Sequence, residues 1–263
     1  MRAYYYIAKM KLLVSLTYRF DVFASFGTNL LIIISNIYLW KVAYNGIDSV
    51  AGINETQMIS YAIVSGLLSS VFSTSVEVTI QEKIASGDIV IDFFRPTNLI
   101  AQYFSEDVGI AVSSLLSKMV PLIAVTLFLF NLALPVNFIT FVLFIVSAGL
   151  SFIILWMISA IIGLLCFWFI QLGDFGAIKD GIVFLLSGRF IPLWLFPKGL
   201  QRVLAFLPFQ YVYQTPLSIY IEQTMSEETY KAIFIQFVWV IILSLLLFLT
   251  WKKAKNKVQI QGG

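Results

Sequence analysis

The side chains that most often carry chemistry in a protein are nearly absent from this one. The 263 residues contain no histidine and one cysteine. That removes the commonest catalytic base and the commonest metal ligand, and with them most intramembrane protease mechanisms. Cys166 lies inside an apolar run, so neither a disulfide framework nor a cysteine-rich metal site forms within one chain, and no metal is expected. No paired carboxylates stand inside an apolar run, which leaves acid–base catalysis little to work with. Asp174-Phe175-Gly176 matches one kinase signature, but the lysine, glycine-rich and catalytic-loop elements that give it meaning are missing, and it reads as a loop. No G-x-x-x-x-G-K-S/T stretch occurs, so the chain cannot cradle ATP in the P-loop manner. Lys118 is a charge within a long apolar run. Its cost there requires snorkelling, a partner or a water-filled path, so it is a candidate for a structural pair or for a transport path.

What remains is a stretch suited to being gripped. Ile84 to Asn98 is a polar, amphipathic island between two long apolar runs. Val76, Ile80 and Ile84 sit four residues apart and line one face of a short helix, while Glu77, Gln81, Glu82 and Lys83 occupy the rest. Gly87 is placed to end that helix in a left-handed conformation, and Pro96 forbids helix until Thr97 or Asn98 caps the next one. The bland alternative is an interfacial helix that only anchors the loop.

The elements that must position these residues are membrane helices. With 60% hydrophobic residues, 12% charged and 24 Phe, a soluble fold has nowhere to hide its apolar surface. Several runs reach the roughly 20 residues needed to cross a bilayer as a helix. They are continuous, as in Leu30 to Tyr38 and Ile139 to Ile162, and lack the alternation of barrel strands. Expected spans are 22–44, 57–75, 108–130, 137–170, 181–197 and 230–251. Gly149 and Gly163 permit close helix contact or bending in the fourth. Met1 to Phe20, with Arg2, Lys9, Lys11 and Arg19 among tyrosines, reads as an interfacial helix on anionic lipid, and these charges do not argue for nucleic acid. Thr224-Met-Ser-Glu227 fits a capping box ahead of the last span, which ends in Lys252, Lys253, Lys255 and Lys257. Two basic termini on the cytoplasmic side force an even number of crossings. Six satisfy this, and they place the Ile84 to Asn98 island inside. Between the last two, Ser187 to Tyr220 carries Pro192, Pro197, Pro208 and Pro216. It reads as a segment that dips into the outer leaflet and returns, which is allowed only where protein or water satisfies its backbone.

Two stretches carry a resemblance to a known family. One is Ile84-x-x-Gly87-Asp88 followed by Arg95-Pro96-x-Asn98. The other is Ser187-Gly188-x-x-Ile191-Pro192-Leu193, followed by Phe196-Pro197 and Leu207-Pro208-Phe209. Over nearly its whole length the chain resembles the permease subunits of type-2 ABC exporters, in particular the bacterial two-permease branch. The fold class expected is therefore an all-α membrane protein: six transmembrane helices with a cytoplasmic coupling helix and a re-entrant outer segment between spans 5 and 6. Residues 1–263 are expected to form a single permease domain in the bacterial inner membrane. The resemblance implies a cytoplasmic ABC ATPase dimer as partner, which holds the ATP and Mg that this chain does not bind. It also implies a second permease, a related but different chain more often than an identical one.

In that reading Ile80, Ile84 and the Gly87-Asp88 turn sit in a groove of the ATPase. Arg95, beside Pro96, pairs with Asp92, with anionic lipid or with an acid on the ATPase. Gly188, Pro192, Phe196, Pro197, Pro208 and Phe209 shape the outer segment. With Phe206, Tyr211 and Tyr213 they offer an aromatic surface that closes the external end of the path or merely anchors the fold. A secondary ion-coupled transporter or a channel subunit is the alternative. Such carriers place acidic or paired charges within their spans, and here only Lys118 and Arg189 are candidates.

Overall fold

A computed structural model of the chain describes residues 2–94, 97–130, 132–135, 137–169, 175–223 and 226–261. Helices α1 (Arg2–Thr17) and α2 (Arg19–Ala43) open the chain, and a two-residue hairpin, β1 (Ser49–Val50) with β2 (Ile53–Asn54), follows. The hairpin turns through Ala51 and Gly52, both at positive φ, as a tight two-residue loop requires. Asn54 then caps α3 (Glu55–Val71) in a reciprocal capping box with Gln57. Next come α4 (Val76–Ser86), α5 (Ile89–Phe93), α6 (Leu99–Ser114), α7 (Val120–Phe130) and α8 (Phe138–Leu165). Helices α9 (Phe175–Leu186), α10 (Lys198–Ala205), α11 (Gln214–Tyr220) and α12 (Ser226–Gln261) complete the order.

Among the described residues, five helical stretches are long and apolar enough to cross a membrane: Arg19–Ala43, Glu55–Ser86, Leu99–Phe130, Phe138–Leu165 and Glu227–Lys257. The segment expected as a fifth span at 181–197 is helical only as far as Leu186. At 12 residues, α9 is about 18 Å long against a hydrocarbon core of about 30 Å. It stops because Gly188 takes φ +83° and Pro192 and Pro197 follow. The capping box expected at Thr224 to Glu227 rests on Thr224, outside the described residues.

Local chemistry explains two further features. Asn98 caps α6 by accepting the Ala101 N–H at 3.2 Å, as its position after Pro96 led us to expect. Between α6 and α7 the helix widens into a π turn over Leu115–Met119. Pro121 lacks an N–H and its ring crowds the carbonyl four residues back, and the π turn absorbs that conflict without breaking the helix.

Helix α1 is more than a surface anchor. It lies along α6 so closely that a Cβ on Gly109 would come within 2.2 Å of the Ala8 carbonyl oxygen. Lys11 pairs with Glu106 at 3.1 Å, and Tyr4 Oη accepts the Asn98 N–H at 3.0 Å. Two apolar cores result. The larger joins α2, α3, α8 and the chain between Tyr211 and Ile221. The smaller joins α4, α5 and the start of α6 to the C-terminal parts of α8 and α12. Phe93 stacks on Trp251 at 5.5 Å and Lys255 lies 5.0 Å over the Trp251 ring, so α5 and the basic end of α12 share one end of the molecule.

Candidate functional site

The island begins as its spacing requires. Helix α4 is closed by Gly87 at φ +81°, and its apolar stripe lies on one side. That side faces inward. Val76 and Ile80 are buried, Ile80 at 1% exposure, and half-buried Ile84 packs against the same smaller core. Ile80 is therefore not available to a partner's groove, since it packs α4 onto α8 beside Gly163. A Cβ on Gly163 would stand 2.9 Å from the Glu77 Cα and 3.2 Å from the Ile80 Cδ1, so glycine sets how near the helices approach. Gly149 has no neighbour within 4 Å of such a Cβ and makes no such contact. The opposite face carries Val78, and α5 with its C-cap carries Val90, Ile91 and Phe94, exposed at 49%, 46%, 58% and 85%. Gly87 and Asp88 lie on the exposed side with them, where Ser86 Oγ donates to Asp88 Oδ2 at 2.9 Å. Arg95 and Pro96 lie outside the described residues. Asp92 takes Lys83 as an ion-pair partner and accepts the Tyr103 hydroxyl at 3.0 Å, which staples α5 to α4 and α6.

Behind α4 lies a polar cluster that reading the sequence missed. Glu77 was placed on the polar face, yet it is buried and ion-paired with the buried Lys179 of α9. Lys179 Nζ also donates to Ser159 Oγ at 3.0 Å and Thr74 Oγ1 at 3.4 Å, and pairs with the exposed Asp180 at 3.1 Å. Thr74 and Ser159 hydroxyls are 2.8 Å apart. One residue on, Ser75 bonds buried Asp107 of α6 through its hydroxyl at 2.7 Å and its N–H at 3.3 Å, and Trp156 Nε1 donates to the same carboxylate at 3.0 Å. The first turn of α4 is thus tied to α6, α8 and α9 by charge-assisted bonds.

The same face of α8 reaches the outer segment. Ser147, Ser151 and Ser159 fall on one stripe, four and eight residues apart, and all are fully buried. Ser151 Oγ donates to the Tyr211 carbonyl at 2.8 Å, and Gln236 of α12 donates to that carbonyl at 2.9 Å while accepting from Ser147 at 2.9 Å. Ser151 stands about 12 Å along the helix from Ser159, so one stripe joins the Lys179 cluster to the outer segment.

That segment has its freed backbone groups answered by side chains, as a non-helical chain at membrane depth requires. Tyr61 donates to the Gly188 carbonyl at 2.5 Å, and Ser65 donates to the Arg189 carbonyl at 2.6 Å. Gln214 Oε1 accepts the Leu193 N–H at 2.9 Å, and the Gln214 N–H returns to the Ser187 carbonyl at 2.8 Å. Gln201 donates to the Phe196 and Trp194 carbonyls at 2.7 and 3.1 Å. A Cβ on Gly188 would meet Gln214 Oε1 at 2.5 Å, so no other residue fits this turn unstrained. Pro192 and Pro197 immediately precede a 3₁₀ turn (Leu193–Leu195) and α10, and Pro208 opens another 3₁₀ turn (Pro208–Tyr211). Phe209 packs against the larger core, while Tyr211 and Tyr213 are buried in it and offer no free aromatic surface. Lys118 sits half-buried in the π turn and meets no carboxylate among the described residues.

A model of the family described as ABC-2 family transporter protein matches residues 30–262. The chain belongs to this family. No curated protein sequence matches it. This ABC-2 permease is a multi-pass transmembrane transport protein whose family implies association with an ABC ATPase. The matched residues take in α4, α5, the serine stripe of α8 and the whole outer segment. The sequence held one signal for the missed cluster. Ser147, Ser151 and Ser159 recur at helical spacing in an otherwise apolar run, and small polar residues there mark polar contact between helices.

Proposed function

We propose that this ABC-2 permease forms half of the translocation path of an ATP-driven exporter and docks a separate cytoplasmic ATPase dimer on its α4–α5 face. One observation carries the reading. The α4–α5 element has two unlike faces: one is fixed to α6, α8 and α9 by Glu77, Ser75 and the smaller core, and the other presents Val78, Val90, Ile91 and Phe94 to the outside. A rigid element with a free apolar face is suited to receive a push and pass it inward. ATP and Mg are then held by the partner, and this chain is not itself the enzyme.

The basic end of α12 and the lysines of α1 belong on the cytoplasmic side by the positive-inside rule, and α5 shares that end. Both termini are then cytoplasmic in a bacterial plasma membrane. The fifth crossing is composite: α9 rises to the depth of Tyr61, and the chain from Ser187 to Tyr220 enters as a re-entrant segment and closes the outer end. Tyr220 donates to the Ala133 carbonyl at 2.9 Å, beside the α7–α8 turn that the topology puts outside. A second permease supplies the facing wall of the path.

The experiment is purification of the tagged chain from its native membrane. An ABC ATPase subunit, recognised by its P-loop peptides, is expected to copurify and to be lost from the Phe94→Asp variant at unchanged permease yield. Purification without any ATPase under conditions that retain the native lipids contradicts the proposal.

A further inference from the structure

Arg189 is the one guanidinium in the turn that joins α9 to the outer segment, and its surroundings differ from those of the other polar groups there. Its backbone is fixed: Ser65 Oγ donates to its carbonyl at 2.6 Å, and its N–H reaches Ser187 Oγ at 3.3 Å. Its guanidinium carbon lies 5.8 Å from the Phe184 ring and 5.7 Å from the Tyr213 ring, and Phe190 stacks on Phe184 at 5.1 Å. Among the described residues no carboxylate stands within ion-pair distance. Asp180, one turn before Phe184 on α9, pairs with Lys179 at 3.1 Å. The Arg189 side chain is half-buried, yet none of its nitrogens is sealed without a partner. Its donors therefore open onto the surface beside Phe184 and its helix neighbour Leu185, exposed at 38% and 56%.

A preorganised cation between aromatic rings, at the edge of an apolar wall, is complementary to one kind of molecule. Its planar fork matches the oxygens of a phosphate or sulfonate, and the wall accepts a hydrocarbon tail. We propose that Arg189 is the headgroup site for an anionic amphiphile bearing a phosphate-type headgroup, with Phe184 and Phe190 seating the start of its tail. The binding claim stands on this geometry, and only the further step that the bound molecule is cargo rests on the exporter reading. Two sources share the chemistry: an anionic phospholipid of the bilayer and a single-chain molecule on its way out.

The test uses the full-length permease in phosphatidylcholine nanodiscs without any ATPase, so its outcome does not depend on the exporter reading. The probe is dodecyl phosphate carrying a diazirine at the tail end, with the labelled peptides located by mass spectrometry. Labelling is expected on α9 and the adjoining turn and to be displaced by unlabelled dodecyl phosphate, but not by dodecyl maltoside or dodecyltrimethylammonium. Loss of one charge-assisted contact lowers affinity about tenfold. The apparent affinity of Arg189→Gln should fall by that factor, and Arg189→Lys, which keeps the charge but loses the planar fork, should fall by less, both eluting as folded protein. Replacing part of the phosphatidylcholine by phosphatidylglycerol separates the sources. Displacement by it assigns the site to a bilayer lipid, and indifference to it assigns the site to a single-chain ligand. Equal labelling of Arg189→Gln and the parent chain, or equal displacement by the neutral and cationic amphiphiles, overturns the proposal.

Discussion

Replacing Lys179 by Met is expected to lower the stability of the purified permease by about 3–5 kcal/mol, because it leaves the Glu77 carboxylate buried and without its cation. Thr74 Oγ1, 3.5 Å away, is a poor substitute. Glu77→Gln should be the milder single change, since Lys179 keeps Asp180 at 3.1 Å and Ser159 at 3.0 Å. The double variant should recover most of the loss. Removing both charges removes the desolvation cost together with the attraction, and buried pairs replaced by neutral groups often come out near even. Thermal melting of the four proteins in one detergent forms the cycle that isolates the pair. Additive losses in the double variant would show that the two side chains do not act as a unit. The ATP-driven response should separate from stability here. The double variant melts near the parent but loses the charged tie between α4 and α9, so its transport should fall while its fold survives.

The second large effect is expected at Gly163. Any Cβ there meets the Glu77 Cα at 2.9 Å, a backbone atom that cannot swing aside, so α4 must move off α8. Overpacking of this kind costs about 1–3 kcal/mol. Gly163→Ala should melt below the parent, and Gly163→Val lower still. Gly149 is the built-in control, on the same helix with nothing within 4 Å of the added carbon. Gly149→Ala should be neutral or slightly stabilising, because alanine favours helix by about 1 kcal/mol over glycine. Equal losses at the two positions would mean that helix packing at Gly163 is not what fixes α4.

Much of this molecule is legible in the sequence because bilayer crossing and chain termination are local properties. The long apolar runs, the left-handed stop at Gly87 and the cap at Asn98 each depend on a few adjacent residues, whereas the span expected at 181–197 ends at Leu186. The direction of the α4 stripe is not local. Val76, Ile80 and Ile84 are equally compatible with facing a partner or a neighbouring helix. The approach of α4 to Gly163, more than seventy residues on, shows that Ile80 faces α8. Glu77 and Lys179 were opaque for the same reason, being 102 residues apart. Each looks like an ordinary surface charge until both are seen on one side of Ser159. Tyr211 and Tyr213 misled in the opposite sense: aromatic density in a proline-rich stretch reads as surface, but the hydrogen bonds from Ser151 and Gln236 draw Tyr211 and its neighbours into the core.

In the proposed coupling, the outward face of α4 and α5 receives the ATPase while the inward face transmits the motion. Single cysteines at Val78, Phe94 and Ile80, in a Cys166→Ala background, test it most directly when the complex with its ATPase is treated with a bismaleimide. Val78 and Phe94 are exposed and Ile80 is buried. Cross-links to the ATPase are expected from Val78→Cys and Phe94→Cys and none from Ile80→Cys. Silence at both exposed positions, in complexes that still contain the ATPase, would contradict it, as would a cross-link from Ile80→Cys of equal yield.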